Sequence, residues 1–247
     1  MQQPSGDSDS SGVWHKKRRK REPVYALAQS IVIPWLHLWF RWHIEGLHNI
    51  PREGAAIVAS NHIAYLDPLV LSYIIIKAGR RPRFLAKAEL FADKRIGWVL
   101  RGARQIEVKR GTRDAPIALD AALRALEEGE IVVIFPEGTV TTDPDLNPMP
   151  AKTGAMRLAL ASKAPLIPVG LWGTANVWPK GYAHRWRPRQ QILVRIGEPI
   201  DLLGDAESPA AWRAAGARLM EEIGKLVAGL RPIVPDRRRP RKKRPAA

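Results

Sequence analysis

The sequence predicts an α/β domain, a largely parallel central sheet flanked by helices, preceded by an N-terminal helix lying at a membrane interface. Three observations lead there. From Ile44 onward, short apolar runs alternate with stretches of helical periodicity, the pattern of strand–helix units feeding a mostly parallel sheet. The chain has 247 residues, 45% hydrophobic and 26% charged, enough for one domain with a sizeable core plus tails. The net charge of +16 and the nine Trp exceed what such a domain needs, and both point to a surface partner.

Residues 1–22 set Lys16, Lys17, Arg18, Arg19, Lys20 and Arg21 against Asp7, Asp9 and Glu22, in Ser- and Gly-containing sequence. They read as a disordered basic leader. Residues 23–43 read as the interface helix. The apolar stretch Val24 to Phe40 is broken by Gln29, Ser30, Pro34 and His37, and falls short of the ~20 apolar residues of a membrane span. No small-residue cleavage site follows it, as a signal peptide would need. Trp35, Trp39 and Trp42 fall at i, i+4 and i+7 on one helical face, with Ala28 and Ile31 behind them. Indole rings favour the headgroup level of a bilayer. Packing of this helix on the domain is the competing placement.

Residues 44–232 form the expected domain. Strands are read at Ala55–Ser60, Arg83–Ala86, Gln105–Val108, Ile131–Phe135, Leu166–Val169 and Gln191–Ile196. Helices are read at Asp67–Lys77, Ala115–Glu128, Thr153–Lys163 and Ser208–Leu230. Residues 233–247 hold Arg237, Arg238, Arg239, Arg241, Lys242, Lys243 and Arg244 against Asp236, and read as a disordered basic tail. Basic tails suit an anionic membrane surface, at about 1 kcal/mol per residue close to the lipid. The chain has no Cys, which excludes disulfides, thiolate metal sites and a thiol nucleophile and fits a reducing compartment.

Two features carry chemistry. The first is Ser60-Asn-His-Ile-Ala-Tyr-Leu-Asp-Pro68, between a buried strand and a helix. If Asp67 opens the helix, its carboxylate folds back on one imidazole nitrogen of His62. That fixes the tautomer and stabilises the imidazolium formed when the other nitrogen takes a proton. With no G-x-S-x-G elbow and no Cys, His62 would act directly on a substrate hydroxyl as general base. A helix-capping Asp beside a structural His is the plainer alternative at this spacing. The second feature is Ile131-Val-Val-Ile-Phe-Pro-Glu-Gly-Thr139. Glu137, Gly138 and Thr139 sit at the carboxyl end of a buried strand, where α/β sheets place ligands. Glu137 would meet an acceptor hydroxyl, and Gly138 permits close backbone approach.

Together, the N-H-x4-D element and F-P-E-G-T about 75 residues later resemble the lysophosphatidic acid acyltransferase (1-acyl-sn-glycerol-3-phosphate acyltransferase) family of glycerolipid acyltransferases. Phe84–Phe91 with Gly97, Gly102 and Ile106–Arg110 is similar to that family's second block, Ala164–Gly170 to its fourth, and Gly197-Glu-Pro-Ile200 is also typical. The resemblance spans about residues 44–230. It implies transfer of a fatty acyl group from acyl-CoA or acyl-carrier protein to the sn-2 hydroxyl of lysophosphatidic acid, giving phosphatidic acid in a ternary complex. His62 would be the base and Asp67 its partner. Asn61, Lys87, Lys109, Arg110, Glu137, Gly138 and Thr139 would contact substrate. No metal or resident cofactor is implied. Partners would be membrane lipids, an anionic bilayer surface and the acyl carrier, at the cytoplasmic face of the membrane, bound peripherally or shallowly inserted.

One departure matters. The family often has Arg directly after E-G-T, serving the acceptor phosphate; here Val140 and Thr141 follow. Lys152, at the mouth of the next helix, is the expected substitute, aided by the helix's N-terminal amides. The loss also keeps alive the same chemistry on another lysophospholipid or glycolipid acceptor. A non-enzymatic basic binder of membrane or nucleic acid is the remaining reading. Aromatics do not interleave with the tail cations, so no specific nucleic acid is expected. The stretch holding Trp172, Trp178 and Trp186 with Lys180, Arg185, Arg187 and Arg189 is either a second membrane contact or a flap over the domain. The other His residues form no metal-ligand pattern such as H-E-x-x-H.

Overall fold

The computed structural model describes residues 23–108, 115–202 and 204–238. The expected leader 1–22, Lys109, Arg110 and the tail beyond 238 lie outside the described residues.

Seven strands form one sheet in the order β1-β7-β6-β2-β5-β3-β4, with β1 Arg41–Glu45, β2 Ala56–Ser60, β3 Pro82–Lys87, β4 Ile106–Val108, β5 Ile131–Ile134, β6 Leu166–Trp172 and β7 Gln191–Ile196. All neighbours are parallel except β6 and β7. The helices are α1 Pro23–Trp39, α2 Asp67–Lys77, α3 Ala88–Ala92, α4 Gly97–Gly102, α5 Ala115–Glu127, α6 Thr153–Ser162 and α7 Pro209–Leu230. The predicted α/β class with a largely parallel sheet is what forms.

The sheet is covered on both faces, so its central strands are apolar on both. In β2, Ile57 and Ala59 join one core with α5, α6 and α7, while Ala56 and Val58 join the other with α2 and the end of α1. The helix boundaries follow local chemistry. Asp67 and Pro68 open α2, and Gly79 at φ +80 follows its end. Gly129 at φ +74 follows the turn after α5. Ser208 caps α7, its hydroxyl accepting from the Ala211 amide at 3.3 Å.

Two expectations are corrected. The N-terminal helix ends at Trp39 rather than running to 43, because Arg41–Glu45 pairs with β7 along its length. Glu45 and Arg195 form an ion pair across that ladder. Trp42 therefore leaves the helical face and stacks on Tyr73 with ring centroids 4.1 Å apart. The missed strand reads poorly because Arg41 and His43 alternate outward on an edge. Residues 233–238, expected in a disordered tail, are docked. Val234 is buried, its carbonyl accepts from Trp172 Nε1 at 2.7 Å, and the Pro235 carbonyl accepts from Asn176 at 3.0 Å. Composition there is polar, but one buried Val and the open donor of a buried Trp hold it down.

On α1, Leu36 and Phe40 just beyond it enter the core. Leu27, Ile31 and Leu38 stand out at 59%, 65% and 79% exposure, with Trp35 between them. The two placements considered for this segment coexist: one face packs on the domain and another stays bare. Among the described residues, no helix is long and apolar enough to cross a membrane.

Candidate active site

The site lies where the parallel strands β2, β5 and β3 end together. β2 runs out at Ser60, and the next seven residues fold into a tight loop closed by the first residue of α2. His62 Nδ1 lies 2.9 Å from Asp67 Oδ2. The amides of Ile63 and Ala64 donate to that same oxygen at 2.7 and 2.8 Å. Asp67 is fully buried. An ionised carboxylate only accepts, so Nδ1 carries the ring proton and Nε2 presents its lone pair. Among the described residues nothing bonds Nε2. The ring is 14% exposed and lies flat on Phe135, centroids 4.0 Å apart at 19°. One carboxylate and one aromatic face thus fix both the tilt and the tautomer of the imidazole. Asp67 closes its own loop, and the same oxygen also holds the ring.

The second loop locks onto the first. The His62 amide donates to Glu137 Oε1 at 2.9 Å, and the Thr141 amide donates to the His62 carbonyl at 2.7 Å. Gly138 closes the turn at φ +72, its amide donating to the Phe135 carbonyl. Glu137 is only 1% exposed. Burial pushes its carboxyl up to about 7, opposed by the amides of His62 and Met149 and reinforced by the charge of Asp67. Its Oε2 is buried and unpartnered. Glu137, expected against an acceptor hydroxyl, holds the backbone of the histidine through Oε1.

Asn61, expected against substrate, is likewise buried. Its amide exchanges two hydrogen bonds with the Leu171 backbone, at 3.0 and 2.8 Å, and so pins the start of the loop to β6. Lys87 sits exposed at the end of β3, level with this edge. Lys152 precedes α6; its amide donates to the Pro136 carbonyl at 2.8 Å and its side chain is exposed. Val140 is 5% exposed, so the position where Arg was expected points into the core. Thr139 lies in the same loop, half-buried.

Two places could supply oxyanion donors, the start of α2 and the loop after Glu137. The amides of residues 63 to 65, Asp67, Leu69 and Val70 are all engaged. Among the described residues those of Thr139 and Val140 have no partner. Phe135 was legible only as the end of a strand. A cavity of about 290 Å³ flanks the loops, lined by Ile63, Thr141, Asp143, Lys180, Tyr182 and Arg238 among others. Among the described residues no group of three His, Asp or Glu gathers as metal ligands.

A family model described as Acyltransferase matches residues 41–172, over half of the chain, and contains both loops. The chain belongs to the acyltransferase family. This acyltransferase is 31% identical over 167 residues to the 1-acyl-sn-glycerol-3-phosphate acyltransferase of Bacillus subtilis, covering 68% of the chain and 77% of the relative. It is 30% identical over 148 residues to a chloroplastic 1-acyl-sn-glycerol-3-phosphate acyltransferase of Brassica napus, covering 59% of this chain but 41% of that one. Its fold matches the crystal structure of the 1-acyl-sn-glycerophosphate (LPA) acyltransferase PlsC from Thermotoga maritima. There the TM-score is 0.63 at 26% identity, over 85% of this chain and 84% of the other.

Proposed function

We propose that this acyltransferase moves a fatty acyl group from acyl-CoA or acyl-carrier protein to the sn-2 hydroxyl of lysophosphatidic acid, giving phosphatidic acid. The observation that carries the reading is the His62–Asp67 pair with Nε2 open at the carboxyl edge of the sheet. The names of its relatives supply the acceptor.

Nε2 takes the proton of the acceptor hydroxyl as its oxygen attacks the thioester carbonyl carbon. Asp67 stabilises the imidazolium. The amides of Thr139 and Val140 receive the oxyanion. As the tetrahedral intermediate collapses, the C–S bond breaks and the departing thiolate takes the proton from Nε2. No bond to the protein forms, so donor and acceptor are bound together. Lys152 and Lys87 are the cations for the acceptor phosphate, with Lys109 and Arg110 proposed from sequence alone. The bare face of α1 lies in the interface of the membrane's cytoplasmic leaflet, where acceptor and product reside.

Acyl-CoA consumption with lysophosphatidic acid, measured in mild detergent beside His62→Ala, tests this. Activity lost in the variant is expected; a variant that keeps wild-type activity, or a stable acyl-protein seen by mass spectrometry, would sink the mechanism. The buried Val140 favours a second reading, the same chemistry on an acceptor without a phosphomonoester. A panel of lysophospholipids and glycolipids separates the two.

A further inference from the structure

The amino ends of β1 and β7 lie at the same edge of the sheet as the carboxyl end of β6, because β7 runs against β6. A second cavity of about 330 Å³ opens there, and five arginines line it. Arg41 heads β1, Arg185, Arg187 and Arg189 come from the loop before β7, and Arg237 comes from the docked C-terminal segment. Among the described residues no carboxylate lines it. Arg185 reaches the Arg237 carbonyl at 3.1 Å. Among the described residues, the guanidiniums of Arg41, Arg187, Arg189 and Arg237 meet no carboxylate and make no hydrogen bond. These four like charges around one hollow, with no carboxylate against them among the described residues, favour an anion there. Planar guanidinium forks suit the paired oxygens of a phosphate.

The position of the cavity selects the source of that phosphate. The Arg189 amide donates to the carbonyl of Trp39, the last residue of α1, at 2.6 Å. Trp186, inside the arginine run, packs at a tilt of 43° against Trp35 of α1 with centroids 5.6 Å apart. The cavity therefore borders the bare apolar face carrying Ile31 and Leu38. An apolar face beside clustered cations matches the layering of an acidic bilayer, acyl chains beneath phosphates.

We propose that this cavity binds the phosphate of an anionic glycerophospholipid headgroup, and that it docks the enzyme on acidic bilayer separately from the acceptor site. The inference rests on the reading that the chain works at a bilayer. The test uses the full chain and two kinds of vesicle, phosphatidylcholine alone and phosphatidylcholine with one quarter phosphatidylglycerol. Wild type is compared with Arg187→Gln/Arg189→Gln/Arg237→Gln, whose backbone bonds are kept. A charge-matched control carries Arg52→Gln/Lys77→Gln/Arg213→Gln, all exposed and away from the arginine cavity.

The cavity variant is expected to lose at least about tenfold in partition to acidic vesicles, with binding to neutral vesicles and activity in neutral detergent micelles unchanged. The control is expected to lose little. An equal loss in the control would reduce the effect to bulk charge and overturn the site. So would unchanged acidic binding, or a raised KM for acyl-CoA in neutral micelles, which would assign the arginines to the donor's phosphates. Wild type binding both vesicles equally overturns the headgroup site and leaves the bilayer reading standing; binding neither overturns both.

Discussion

Glu137 gives the sharpest test of how the two loops are held. Its carboxyl is raised by burial from an ordinary 4.5 to about 7. In the unfolded chain the group loses its proton near the ordinary value, while the native state keeps it until near 7. Between those values the native state binds more protons, so native stability falls as pH rises and levels off above about 7. A shift of this size corresponds to roughly 3 kcal/mol in full, and most of it, on the order of 2 to 3 kcal/mol, is lost between pH 5 and pH 8. Glu137→Gln keeps the shape and an oxygen for the His62 amide but cannot ionise. Urea unfolding, followed through Trp fluorescence at pH 5 and pH 8, reads the difference directly. The variant is expected to gain on the order of 2 to 3 kcal/mol relative to wild type on going from pH 5 to pH 8. Equal pH slopes for the two proteins would refute the claim that the carboxyl is held protonated by burial.

Three further perturbations follow from the same geometry. Asp67→Asn removes the charge that stabilises the imidazolium; at an effective dielectric near 20 that interaction is worth about 4 kcal/mol. Steady-state kinetics should show kcat down about 10³-fold with the acceptor KM little changed. Deleting residues beyond 233 takes away the buried Val234 and the acceptor of Trp172 Nε1, at a combined cost of about 3 kcal/mol; thermal unfolding should show Tm lower by about 10 °C. Gly46→Ala would place a Cβ 2.0 Å from the Ile196 carbonyl oxygen at a φ of +72. It should destabilise by about 3 kcal/mol, seen as a lower urea midpoint with unchanged slope.

What could be read from sequence divides along a physical line. Interior strands such as Ile131–Ile134 must be apolar on both faces, so their composition announces them. Asp67 was legible because the residue that opens a helix reaches back over its own loop, and its Oδ2 lies 2.9 Å from His62 Nδ1. Glu137 was found in the right loop, but nothing in F-P-E-G-T says that its carboxyl meets a backbone amide 75 residues away in sequence. The bond of Asn61 to Leu171, 110 residues distant, was hidden for the same reason. β1 was hidden because an edge strand has only one neighbour and a polar outer side. The docking of Val234 depends on a Trp donor that only the fold leaves open.

The reversed strand explains why these parts meet. Because β7 runs against β6, the chain entering β7 arrives at the edge where β2 and β5 deliver His62 and Glu137. β1 pairs parallel to β7 and so places the end of α1 at that edge as well. A continuous run of rings then joins the bare helix to the His62 loop. Trp39 stacks on Trp35 at 5.5 Å, Trp35 meets Trp186 at 5.6 Å, Trp186 meets Trp178 at 5.5 Å, and Trp178 meets Tyr65 at 5.8 Å. Tyr65 lies between His62 and Asp67, and its amide donates to the Trp178 carbonyl at 3.0 Å. The surface that would touch lipid and the loop that holds the proposed base are thus one packed unit, so burying the apolar face of α1 would carry the open side of His62 to the bilayer without any hinge between them.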